Sequence, residues 1–185
     1  MWKLNQFTRS NENYSKGFSL LEMVFVISIV CLTVAVAVPV FTNTIEQKKV
    51  KRLATEIEQL LSISKSNAIS MSENVVVAYM GISEDSSGQQ SVKDWSIEAK
   101  MSKSKAVVSS IVGNQHQDIV ISYSFPGNKT DIEFKDLTGR PTLSGNFKIT
   151  YHNGDDYVKV VTNSNSGRIY TCSKRGTLGY GICSS

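Results

Sequence analysis

A continuous apolar run from Phe18 to Phe41, with a lone carboxylate at Glu22, constrains this chain more than any other feature. At ~1.5 Å of rise per residue a helix over that run is about 36 Å long, enough to cross a ~30 Å hydrocarbon core with some tilt. The segment before it, Met1 to Lys16, is polar and carries Lys3, Arg9 and Lys16 against a single acid, Glu12. That basic excess predicts a leader held in the cytoplasm and an exported remainder.

Three processing routes fit such a start. One is an ordinary secretory signal cut at the small residues Ala35-Val36-Ala37. Another is a plain membrane anchor, and the third is a signal cut ahead of the apolar run. Glu22 separates them. A carboxylate at membrane depth costs about 2.5–3.5 kcal/mol on insertion scales, so it needs a partner. Neither a discarded signal nor a simple anchor has a use for it. Cleavage between Gly17 and Phe18 creates an α-amino group four residues before Glu22, a cation at the same depth. In packed helices the carboxylate of one subunit can then neutralise the amine of the next.

The stretch Lys16-Gly17-Phe18-Ser19-Leu20-Leu21-Glu22 resembles the prepilin peptidase site shared by type IV pilins and type II secretion pseudopilins. The resemblance implies cleavage after Gly17, N-methylation of Phe18 and filament assembly guided by Glu22. It also implies an inner-membrane, single-pass subunit with a periplasmic C-terminal domain before assembly, and a pilus location after it. Its partners would be the prepilin peptidase and other minor and major pilins, met through helix packing.

Pro39 sits inside the apolar run, where it removes a backbone hydrogen bond and predicts a helix kink. Beyond Phe41 the pattern becomes amphipathic. Val50, Leu53, Ile57, Leu60, Leu61, Ser64, Ala68 and Met71 recur at three- and four-residue steps, the signature of one helical face on a core. Glu46 with Lys49, and Arg52 with Glu56, are spaced as surface pairs. The run Lys48-Lys49-Val50-Lys51-Arg52 reads as a solvated face or as a contact for anionic headgroups and neighbouring acids. One helix is expected from Phe18 to about Ser72.

After Asn74 the period changes to that of strands. Strands are predicted over 75–80, 95–100, 106–112, 119–125, 132–134, 147–151, 157–162 and 168–172. Residues 81–91 form a Ser/Gly-rich loop and Pro126-Gly127-Asn128-Lys129 a turn. Asn153-Gly154 signals a hairpin. The fold class is therefore α+β, a helix packed on antiparallel sheets, with a small sandwich as one arrangement. The divisions are a leader over 1–17, a transmembrane or filament-core helix over 18–41, its amphipathic continuation over 42–74, and a β domain over 75–185.

The cysteines divide by place. Cys31 lies in the apolar run, while Cys172 and Cys183 close a short terminal segment. As a bridge they would contribute roughly 3 kcal/mol in the chain-entropy account, given an oxidising compartment. Two free thiols are the alternative if the domain stays in the cytoplasm. A net charge of +4 demands neither lipid nor nucleic acid.

Catalysis has little material. His116 and His152 stand in an apparent loop and turn, both expected to be exposed, and no spacing suggests a nucleophile elbow, metal cluster or phosphate loop. Asp155 and Asp156 read as solvated turn acids. No enzyme activity, cofactor, metal or small-molecule substrate is expected.

Ile132-Glu133-Phe134, Leu137-Thr138-Gly139-Arg140-Pro141, Phe147-Lys148-Ile149-Thr150 and Ser166-Gly167-Arg168-Ile169-Tyr170-Thr171-Cys172 resemble, in their order, the FimT/GspH group. That group contains minor type IV pilins and the H-type pseudopilin of type II secretion. Within it the Cys172 and Cys183 pair is more suggestive of a minor pilin, which implies a role in priming pilus assembly near the tip, in support of twitching, adhesion or DNA uptake. Some members resemble DNA receptors with a C-terminal Gly-Arg-x-Arg motif. Here Gly167-Arg168-Ile169-Tyr170 places Tyr170 where the second arginine would stand. Arg168, Lys174 and Arg175 are the candidate DNA contacts, in weak and salt-dependent binding.

Overall fold

The computed structural model describes residues 17–85, 94–116, 119–151 and 156–183, with the side chains of residues 36–43, 128 and 151 outside that description. The leader over 1–16, part of the 81–91 loop, and the His152-Asn153-Gly154-Asp155 turn lie outside the described residues. The chain divides into two units, Met1–Thr42 and Asn43–Ser185.

Helix α1 runs Leu20–Ser70, close to the expected span. Within the first unit its apolar side chains are exposed through Leu32 and Val34, from 51% at Val26 to 82% at Leu20. Among the described residues no helix is long and apolar enough to cross a membrane. The segment expected to span the membrane, 18–41, falls partly outside the described side chains, which pause after Ala35 and resume at Thr44. The kink expected at Pro39 falls among side chains outside the description.

In the second unit α1 buries Val50, Leu53, Ala54, Ile57, Leu60, Leu61, Ser64 and Ala68. These recur at the three- and four-residue steps of one face. Met71, expected on that face, is 64% exposed. It lies past the helix end, where Ser72 adopts φ 50° and the Glu73 N–H turns back to the Ala68 carbonyl at 3.2 Å. The Arg52–Glu56 pair forms as expected, at 2.8 Å.

Among the described residues ten strands follow: β1 Val75–Met80, β2 Ser83–Glu84, β3 Ser96–Met101, β4 Val107–Val112, β5 Ile119–Ser124, β6 Asp131–Phe134, β7 Gly145–Tyr151, β8 Tyr157–Thr162, β9 Ile169–Ser173 and β10 Gly181–Ile182. They form two sheets, in the orders β4-β3-β1-β6 and β10-β9-β8-β7-β5-β2. The long pairings are antiparallel, whereas the two-residue strands β2 and β10 pair in parallel with β5 and β9. β7 and β8 pair antiparallel about the expected hairpin.

Period-two alternation explains the faces. β8 reads half-buried and buried in turn from Tyr157 to Thr162, so Val158 and Val160 enter the core and Tyr157 and Lys159 face out. The sheets share one buried cluster with α1. Tyr79 of β1 stands 4.7 Å from the Tyr123 ring and 5.3 Å from Phe147, both of the second sheet. Burial, reinforced by Tyr123 and Asp131, pushes the Tyr79 hydroxyl far above the usual phenol range, and it donates to the Lys129 carbonyl. A Cβ on Gly145 would come within 2.2 Å of Phe125 and 2.4 Å of the Ser124 carbonyl, so this β7 position accepts only glycine.

Polar contacts join α1 to the second sheet. Thr55 Oγ1 lies 3.4 Å from the Tyr180 hydroxyl, Thr171 Oγ1 donates to Glu58 Oε2 at 2.6 Å, and Lys65 Nζ donates to the Gly167 carbonyl at 2.8 Å.

Candidate functional site

The expected cleavage motif sits in the first unit. Gly17, Phe18 and Ser19 are exposed and non-helical, and nothing lies within 4 Å of where a Gly17 Cβ would be. The first helical rung is the Met23 N–H on the Ser19 carbonyl, at 3.1 Å. Ser19 is thereby the residue that caps the helix, and Glu22 falls three positions after it in the first turn. Ser-x-x-Glu is the capping-box spacing, and a carboxylate in the first turn is favoured by the helix dipole. Sequence reasoning missed this placement of Glu22 in the first helical turn, although the Ser19–Glu22 spacing was readable. Around Glu22, Leu21, Phe25 and Val26 are 77%, 68% and 51% exposed. A cut before Phe18 leaves Ser19 in place, so the processed helix keeps its cap.

The terminal segment is closed by a Cys172–Cys183 disulfide with Cα atoms 5.0 Å apart, which resolves the alternatives left open by the sequence. Cys31 is free and exposed. β10, unforeseen in the sequence, lies against β9, and the Cys183 N–H bonds the Ser173 carbonyl at 3.0 Å. Lys51 Nζ lies 5.9 Å from the Tyr180 ring centroid, so the loop packs on α1.

The candidate DNA cations do not converge. Arg168 precedes β9 while Lys174 and Arg175 follow it, and the extended strand between them separates Arg168 from Lys174 by roughly 20 Å.

His116 corrects another expectation. It is 6% exposed, stacked on Trp95 at 6.0 Å between centroids. Its Nε2 lies 2.8 Å from Glu56 Oε2, but off the line a hydrogen bond requires. Burial follows from the turn Gly113–Gln115, which the Gly113 N–H anchors to the Trp95 carbonyl at 2.7 Å. Nothing in the local composition signals that tertiary contact. Beside it an open groove of about 220 Å³, lined by Glu56, Gln59, Ile63, Ser109 and Gln115 among others, separates α1 from β4. Asp156 accepts from the Tyr157 N–H and the Thr177 hydroxyl, as a turn acid does. Among the described residues no group of three or more His, Cys, Asp or Glu side chains is placed to hold a metal ion.

Fold and site together define a class: an α+β chain whose long N-terminal helix packs on an antiparallel β domain, the arrangement that the resemblance to type IV pilins implies. No protein-family model matches the chain, and no curated protein does. A solved structure similar to it is that of the type IV minor pilin FimU from Pseudomonas aeruginosa PAO1, with a TM-score of 0.47 and 16% identity, covering 68% of this chain and 89% of that one.

Proposed function

We propose that this chain is a minor type IV pilin, a filament subunit that primes pilus assembly and sits near the tip. One observation carries the reading: an exposed apolar helix with a carboxylate in its first turn, preceded by an open Gly17–Phe18 peptide. Exposed apolar surface on this scale needs a cover, and packed helices of neighbouring pilins supply one. Prepilin peptidase cuts after Gly17, Phe18 is N-methylated, and Glu22 pairs with the Phe18 amine of an adjacent subunit. Before assembly the same helix, whose sequence stays apolar through Phe41, holds the subunit in the inner membrane with the β domain in the periplasm. The disulfide accords with that oxidising side.

Intact mass of the mature protein tests the processing. A chain beginning with methylated Phe18 is the expected result, and a chain beginning at Val38 or retaining Met1 would overturn it. Deleting the gene separates pilus from secretion system: lost surface pili are expected, whereas lost exoprotein secretion with intact pili points to an H-type pseudopilin.

A further inference from the structure

A sheet ends in a row of unpaired N–H and C=O groups, which proteins ordinarily shorten, charge or cover. Among the described residues the two sheets end in β4, β6, β10 and β2. Strands β2 and β10 are two residues long. β6 carries Asp131 and Glu133, and a bridge from Phe134 to Pro141 closes it, with the Thr142 N–H on the Glu133 carbonyl at 2.8 Å. β4 departs from that rule. Its six residues include no proline and no charged side chain, and Val107 and Val112 are 57% and 38% exposed.

The register fixes the direction of its backbone groups. The Gly113 N–H bonds the Trp95 carbonyl at 2.7 Å, and the Met101 N–H bonds the Ala106 carbonyl at 2.9 Å. Ile111 and Ser109, opposite Ile97 and Ala99, share that phase and turn their groups to β3. Ser110 and Val112 therefore turn theirs outward, repeating every ~6.8 Å. The bulge between Ala99 and Lys100 falls beyond this stretch. Among the described residues no hydrogen bond reaches the outward groups. Both ends of the β3–β4 hairpin are tied down. At its tip the Glu73 carboxylate accepts the Lys103 and Ser104 N–H groups, and at its base stands the Gly113 bond. The edge is thereby preorganised. Beside it runs the groove of about 220 Å³ between β4 and α1, where Leu60 and Ile111 are buried and Ile63 is 44% exposed.

We propose that this edge takes an extended segment of a partner polypeptide as an added strand. The hydrogen-bond repeat selects the occupant. Another extended backbone offers acceptors and donors at that spacing, which a helix, a lipid surface or a nucleic acid does not. Residues of the incoming strand opposite Ile111 enter the groove over Leu60 and Ile63, so apolar β-branched side chains suit them. Those opposite Ser110 and Val112 face the other way and accept small polar side chains. The partner segment therefore alternates the two kinds. The inference stands on the sheet edge alone and does not require the filament reading.

The test is amide hydrogen exchange, read by NMR on the full chain in detergent micelles. The probe is a synthetic peptide of alternating valine and threonine, about eight residues long. In the free chain the Ser110 and Val112 amides should exchange faster than that of Ile111, which β3 holds. With the peptide at about ten times its dissociation constant, both should slow about tenfold. Ser110→Pro removes an outward N–H and leaves the β3 ladder intact, so it should melt close to the parent yet lose the peptide. Should that variant fail to fold, two modified peptides decide. N-methylation of every threonine removes the donors of an antiparallel added strand, and N-methylation of every valine those of a parallel one, so one of the two should lose binding. Undiminished binding by both overturns the proposal. So does an absence of slowing at Ser110 and Val112, finding those amides already slow in the free chain, or unchanged peptide binding in folded Ser110→Pro. A peptide-free dimer in sedimentation that Ser110→Pro dissolves would assign the edge to a second copy of the chain and overturn it too.

Discussion

Replacing Glu22 by glutamine keeps the size of the side chain and removes its charge. The surroundings set the magnitude. Leu21, Phe25 and Val26 flank Glu22 and are largely exposed in the single chain, so packing by neighbouring subunits would enclose the residue in hydrocarbon. The neighbour's Phe18 amine would then be buried without a counter-charge, at about 2.5–3.5 kcal/mol, or roughly a hundredfold in the assembly equilibrium. Helix formation should survive, because Ser19 still caps the first turn. The assay expresses the variant beside its natural partner subunits, shears pili from the cells, and compares subunit in the sheared and membrane fractions. Intact mass first establishes that cleavage has occurred. Correctly processed Glu22→Gln that enters pili within about twofold of the parent, a difference of only ~0.4 kcal/mol, would refute the charge-pairing argument.

Three further outcomes follow from the β domain. Gly145→Ala should destabilise it by about 1–3 kcal/mol, because a Cβ collides with Phe125 and the Ser124 carbonyl; thermal melting checks this. Cys172→Ser with Cys183→Ser should cost up to ~3 kcal/mol and make stability insensitive to reductant, as paired melts with and without dithiothreitol would show. Backbone hydrogen bonds from Ser104 and Lys103 hold the Glu73 carboxyl below its ordinary value of 4.5. Its contribution is therefore present above that value and is lost as pH falls through the depressed folded-state value, so amides of Lys103 and Ser104 should exchange faster in acid. Glu73→Gln should remove that acid dependence.

What was legible in the sequence was whatever depends on local period. The stripe from Val50 to Ala68 announced a helix packed on one face, and the Tyr157 to Thr162 alternation announced a strand whose bounds the structure matches. Gly17 and Glu22 stand out in the sequence because few other uses account for an acid inside an apolar run, and they enter the proposal on that ground. What stayed hidden depends on register and on long-range partners. Gly181–Ile182 has no strand signal of its own; it pairs because Cys183 is tied to Cys172. His116 looked like a loop residue until Trp95 and Glu56 enclosed it. Lys148 and Lys159 are eleven positions apart in sequence, and only the β7–β8 register sets them side by side. The division of ten strands into two sheets likewise follows from β1 pairing with both β3 and the distant β6.

The polar contacts between α1 and the second sheet have a mechanical consequence. Thr55, Glu58 and Lys65 engage Tyr180, Thr171 and Gly167 at successive heights along the helix, over about 15 Å of its length. Tension along the helix axis loads such fasteners in shear, all at once, instead of peeling them in sequence. Sliding the domain along its helix would demand simultaneous rupture of all three together with the apolar seam beneath. A domain fastened this way resists displacement along its helix more than displacement away from it.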